Sequence, residues 1–134
     1  MIQDFHNQLF ERIKTIQELK EVFYAIPTTA KKYPIAWVRF DSFSAAYVGN
    51  VEINQVYTYI ISLANLIEKT ERNEAYIKQE QLTDTVVESI DGFLFSSAYQ
   101  AEASNVVIIE DTEREQPMLI SRITIEVPLL LAQG

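Results

Sequence analysis

Cysteine is absent from the 134 residues, and histidine occurs once, at position 6. The first absence excludes disulfides and thiol catalysis. Together they leave only carboxylates and carbonyls as metal ligands, so no zinc site can be built. Glycine is scarce, with three residues, and neither the Walker spacing nor the dinucleotide-binding pattern can be assembled from them. No apolar run approaches the ~18 residues of a membrane-spanning helix. Asp4 and Glu11 stand where a signal peptide needs a basic start and an apolar stretch. That pattern predicts a chain that remains in the cytoplasm where it is made, without a membrane partner. Basic residues are outnumbered 11 to 19 by acidic ones, giving a net charge of -8, which opposes a phosphate backbone rather than attracting it.

What is present is ordinary for a folded domain. Hydrophobic residues make 48% and charged residues 22%, and the length fits one domain, 1–134. The stretch from Val56 to Leu66, rich in aromatic and β-branched residues, reads as a central strand. Tyr57, Tyr59, Ile61 and Leu63 share one face. Thr58, Ile60, Ser62 and Ala64 share the other, which is only half polar and leaves surface for another chain.

Before this strand, Ile2, Phe5, Leu9, Ile13, Ile16, Leu19 and Phe23 recur at helical spacing and predict a helix over 2–23. Pro27 and Pro34 end it and open a crossing loop. Residues 35–41 alternate as a strand, with Ala36, Val38 and Phe40 inward. Trp37 then lies on the face of Arg39 and Asp41, as a half-covered surface residue or as an anchor for another subunit. Residues 42–54, small and polar with a Gly49-Asn50 turn signal, form a long hairpin connection. It is a candidate contact arm or simply a mobile link.

After it, the mixed charges of 68–74 read as a solvated loop, and Gln79, Leu82, Val86 and Ile90 place a second helix over 73–91, stopped by Gly92. Residues 96–104 read as loop, 106–109 as a strand, 110–116 as a polar tip. Residues 119–129 read as a strand with Leu119, Ser121, Ile123, Ile125, Val127 and Leu129 inward. The fold class is therefore α+β, a mainly antiparallel sheet with two helices on one face, in the order α-β-β-α-β-β.

A search for chemistry yields little. His6 has no serine or cysteine in a nucleophile setting and reads as a surface histidine. The acidic run 110–115 lacks the alternating ligands and obligatory glycine of a calcium loop and reads as a solvated turn. Tyr57 and Tyr59 could stack bases as an RNA-recognition sheet does, but that module needs basic residues around the platform. No catalytic residue, metal or cofactor is expected.

The ordered set of local strings resembles the tail terminator (tail completion) proteins of long-tailed bacteriophages. The likeness rests on the N-terminal helix leading to Tyr33-Pro34-Ile35-Ala36-Trp37-Val38 and the hairpin into Gln55-Val56-Tyr57-Thr58-Tyr59-Ile60-Ile61-Ser62-Leu63. A helix with Leu82, Val86, Val87 and Ile90 follows, then the closing Arg122-Ile123-Thr124-Ile125-Glu126-Val127. The resemblance implies a non-enzymatic virion subunit, assembled in the host cytoplasm. It would cap the tail tube as a ring, typically a hexamer and in some cases formed only on the tail, and would provide the surface for head-tail joining. Its partners would be its own copies, the tail tube protein and neck proteins, with DNA passing through the lumen without specific binding. The candidate interaction residues are Trp37, Arg39 and Asp41 on the first strand, Tyr47, Asn50 and Glu52 in the connection after it, and Glu113 and Arg114 at the last tip. A neighbouring neck connector would share these properties. A small α+β enzyme or ligand-binding domain would instead need a closed apolar pocket with convergent polar groups.

Overall fold

The computed structural model describes residues 1–30, 32–67, 71–113 and 116–130. Helix α1 (Ile2–Lys14) is followed by β1 (Glu21–Phe23), β2 (Ile35–Val48), β3 (Val51–Leu66), helix α2 (Arg72–Ile90), β4 (Leu94–Ser96), β5 (Tyr99–Gln100), β6 (Glu102–Asp111) and β7 (Met118–Pro128). Five strands form one sheet in the order β1-β2-β3-β7-β6. The β1–β2 pair is parallel and the others are antiparallel; β4 and β5 make a separate small hairpin. The fold is α+β, and β3 is the central strand as its composition predicts.

Both helices lie on one sheet face. Leu9 and Ile13 from α1 and Leu82, Val86 and Ile90 from α2 pack on Val38, Tyr59, Ile61, Leu63, Ile123 and Ile125. The register places Ile61 between Val38 and Ile123, so the inward residues of three strands coincide. Burying each such aliphatic side chain contributes about 1.5–3 kcal/mol before entropy is counted. The buried parity of β7 matches the alternation seen in its sequence.

The first helix is shorter than its stripe suggests. It ends at Lys14, where the Thr15 hydroxyl donates to the Arg12 carbonyl at 2.7 Å and diverts the chain into a turn. Ile16 and Leu19 stay buried because the tight turn keeps the spacing of three that a helix also shows. Phe23 falls in the parallel strand β1.

Residues 42–54 form the hairpin that the Gly49-Asn50 signal predicts, but as paired strand rather than loop. They continue the β2–β3 ladder down to Gly49 and Asn50, where Gly49 takes φ 61°, a conformation favouring glycine. The ladder slips between Phe40 and Ser42, so Asp41 sits at a bulge and Phe43 returns to the helix face opposite Tyr57. Residues 96–104 hold the end of β4, all of β5 and the start of β6, which reaches Asp111 and so includes the predicted tip residues Glu110 and Asp111. Strand β7 starts one residue earlier than its alternation predicts, and α2 is shifted by one.

A second, smaller cluster lies on the helix-free face. Ile35, Ala64, Met118 and Ile120 are buried there, with Phe23, Ala30, Tyr33 and Trp37 packed against them. Ala30 and Tyr33, from the segment between β1 and β2, cover this end of the sheet.

Candidate protein interface

The predicted interaction residues fall at two ends of the molecule. The ladder between β2 and β3 runs past Val56↔Pro128, the last pair that ties β3 to β7. Beyond Gln55, whose carbonyl accepts from the Leu129 amide at 3.0 Å, the two strands are paired only with each other among the described residues and form an arm. Its outer part carries Tyr47, Val48, Val51 and Ile53, all exposed, with Val48 and Val51 at 65% each. Tyr47 pairs with Glu52 and Val48 with Val51, next to the turn residue Asn50. Thus Tyr47, Asn50 and Glu52 come together at the arm tip. The apolar Val48 and Val51 beside them have no signal in a stretch that is mostly small and polar.

The arm is anchored by an aromatic cluster at its root. The Phe5 ring lies 5.1 Å from Tyr57, 5.0 Å from Tyr99 and 4.8 Å from Phe95, and Phe43 lies 4.8 Å from Tyr57. The Tyr99 hydroxyl donates to Gln55 Oε1 at 3.1 Å, which fixes the strand just where it leaves the sheet. Burial, reinforced by Tyr99 and Glu52, raises the pKa of the Tyr57 phenol.

Trp37, Arg39 and Asp41 sit on β2 toward the other end. Trp37 is half-buried by its own chain, not exposed: it packs against the second cluster and walls a cleft with Ile26, Pro27, Tyr33, Met118 and Ile120. The cleft encloses about 100 Å³. Arg39 Nη1 pairs with Asp41 Oδ1 at 3.1 Å and Ser42 donates to Asp41 Oδ2 at 3.3 Å, so these two charges satisfy each other within one chain. An exposed pair of this kind stabilises by ~0–1 kcal/mol.

Glu113 is exposed at the β6–β7 connection, on the Trp37 end of the sheet, and its amide donates to Asp111 Oδ1 at 3.3 Å. Arg114 lies outside the described residues. Near this connection, Arg72 pairs with Glu110.

His6 is buried, contrary to its surface reading. Its Nε2–H donates to the Tyr24 carbonyl at 2.7 Å, and its ring stacks on Tyr24 at 3.9 Å. The Tyr24 ring supplies the cover that the helix pattern alone could not reveal. Between α2 and the sheet, Gln79 Nε2 donates to the Leu63 carbonyl at 3.1 Å and to Ser121 Oγ at 2.8 Å, and Thr83 Oγ1 lies 2.7 Å from Ser121 Oγ. Among the described residues no three or more histidine, aspartate or glutamate side chains gather to hold a metal, and no helix is long and apolar enough to cross a membrane.

No protein-family model matches the sequence, and no curated protein matches it. The chain is similar to a solved protein structure with a TM-score of 0.55 at 12% identity, over 98% of this chain and 94% of that one. At this identity the likeness is one of fold.

Proposed function

We propose that the chain is a structural virion subunit of the tail-terminator kind, which caps the phage tail tube as a ring, ends tail polymerisation and offers the surface for head-tail joining. The observation that carries this reading is the arm. A two-stranded ribbon with apolar residues on its exposed end is marginal in water unless another surface covers it. A contact repeated in one sense between identical subunits closes into a ring when its rotation permits. The net charge of -8 suits a lumen through which DNA slides without sticking. The ordered strings shared with terminators and the α+β fold agree with this, and the reading gives the chain no catalytic step.

The test is made on particles. Removing the gene from its phage is expected to leave tails of uncontrolled length that fail to join heads, seen by electron microscopy. Antibody labelling should place the protein at the head-proximal tail end in normal particles. Labelling within the neck next to the head would assign it to a neck connector instead. Infectious particles of normal tail length without the gene would refute both.

A further inference from the structure

Among the described residues the sheet has two open borders. Strand β1 pairs only with residues 35–37 of β2, and from Arg39 to Val48 no strand other than β3 pairs with β2. The Tyr24 carbonyl, next in line after Phe23, accepts from His6 Nε2 instead, and Pro27 has no amide with which to resume the ladder. On the opposite border β6 pairs with β7 alone. An open border presents a row of unpaired amides and carbonyls, and what satisfies such a row is another strand edge. The geometry points to a seam between two copies of this chain, in which β6 of one adds antiparallel to the open edge of β2 of the next. The sheet then runs on from subunit to subunit. This rests on the self-assembly reading above and names the strands that perform it.

The side chains of the two borders match. Directly opposite residues share a face, so Val106, opposite Ile123, and Ile108, opposite Ser121, point to the helix side of the sheet. Phe40 and Phe43, opposite Tyr59 and Tyr57, point the same way. Val106 and Phe43 are 43% and 45% exposed, one open apolar side chain on each border. Beside the open edge of β2, His6, Ala25, Ile26, Val38, Arg39 and Phe40 line a largely apolar groove of about 380 Å³. Setting Val106 against Phe43 brings Ile108 against Phe40 and over this groove. The bulge at Asp41 absorbs the extra residue of β2, as it does against Tyr57 and Tyr59 of β3. The ladder ends near Asn105, since Asp91 Oδ1 already accepts from the Ala103 amide at 3.0 Å. The arm beyond Ser44 then overhangs the neighbouring subunit.

Charge separates like from unlike borders. Strand β6 carries Glu102, Glu110 and Asp111 and no basic residue, so two copies of β6 paired antiparallel would bring their acidic ends together. Residues 38–48 of β2 carry Arg39 and Asp41, which cancel. The seam therefore joins unlike edges, and repeated in one sense it closes into a ring when its rotation permits.

No native cysteine competes, so the seam can be trapped. Phe43→Cys protein mixed with Val106→Cys protein under mild oxidation is expected to give a disulfide-linked heterodimer. Phe43→Cys mixed with Ile77→Cys, an exposed position on α2, should not. At millimolar protein, hydrogen exchange should slow at amides within residues 40–44 and 105–109 relative to dilute protein, which a contact made by side chains alone does not produce. Val106→Lys places a charge on the exposed edge; it should weaken self-association in sedimentation by about tenfold or more and leave the far-ultraviolet circular dichroism unchanged.

No heterodimer above the control, or a predominant link between two Phe43→Cys chains or two Val106→Cys chains, overturns the pairing of unlike edges. Unchanged exchange, or self-association of Val106→Lys equal to that of the unsubstituted chain, overturns it as well. If the unsubstituted chain still assembles in those cases, the ring reading stands with another interface. A chain carrying both Phe43→Cys and Val106→Cys tests the two together. Closed rings support seam and ring, whereas products that stop at the dimer keep the seam and refute the ring.

Discussion

Ile125 and Thr124 adjoin in β7 yet face opposite ways, Ile125 fully buried under the helices and Thr124 half-buried on the other face. Ile125→Ala is expected to cost about 2–5 kcal/mol in urea unfolding, and Thr124→Ala well under 1. Equal losses would place the register wrong by one residue. His6→Ala should cost about 1–2 kcal/mol in the same measurement, through the lost hydrogen bond to Tyr24 and the lost stacking. A silent substitution would show that the imidazole is not held there. Tyr59 carries a pH effect: its hydroxyl donates to the Ile2 carbonyl at 2.7 Å, and burial, helped by Tyr57 and Tyr24, holds its pKa well above the ordinary 10.0. Below pH 10 both folded and unfolded chains keep the proton, and the stabilisation is complete. Above it the unfolded chain gives up the proton first, so stability falls as pH rises through the folded value. Between about pH 9 and 11 the unsubstituted protein should lose stability more steeply than Tyr59→Phe, and parallel curves would remove Tyr59 from the account.

At the scale of elements, the arm is separable from the core. Removing residues 46–48 and 51–54 joins Ala45 and Gln55, already partners in the ladder, through the existing Gly49-Asn50 turn. Since the removed residues lie outside both buried clusters, the melting temperature should change by less than about 4 °C while self-association is lost. A large drop in melting temperature would make the arm part of the folding core. The elements that were legible in the sequence are those whose own spacing is unambiguous. The alternation of β7 and the spacing of Leu82, Val86 and Ile90 in α2 each point to one structure. The arm was legible as a hairpin turning at Gly49-Asn50 but not as strand, because Ser42, Ser44, Ala45 and Ala46 have weak strand preference and acquire their pairing from the opposite strand. The bulge at Asp41 also inverts the parity that a reader carries forward from Val38. Of the candidate site, the turn at Gly49-Asn50 was legible and the cover over Trp37 was not. Trp37 is covered by residues distant in sequence, and Arg39 finds its partner two residues away rather than in a neighbour.

At the scale of the whole molecule, one sheet face is closed by helices and the other is closed only at the Trp37 end, so the arm end is where the fold stays unfinished. The register of the sheet also sets an order of events. The β2–β3 pair starts at Val48↔Val51 and grows residue by residue, whereas β3 meets β7 only through partners as far apart as Leu66↔Met118 and Val56↔Pro128. Closing that long loop costs chain entropy that the hairpin avoids. The hairpin should therefore be formed in the folding transition state, and β7 should dock after it. Val38→Ala should slow folding, and Ile123→Ala should chiefly speed unfolding; the reverse partition in stopped-flow kinetics would invert the order. During synthesis, then, the β2–β3 hairpin with its apolar tip is complete in sequence before any residue of β7 has been added.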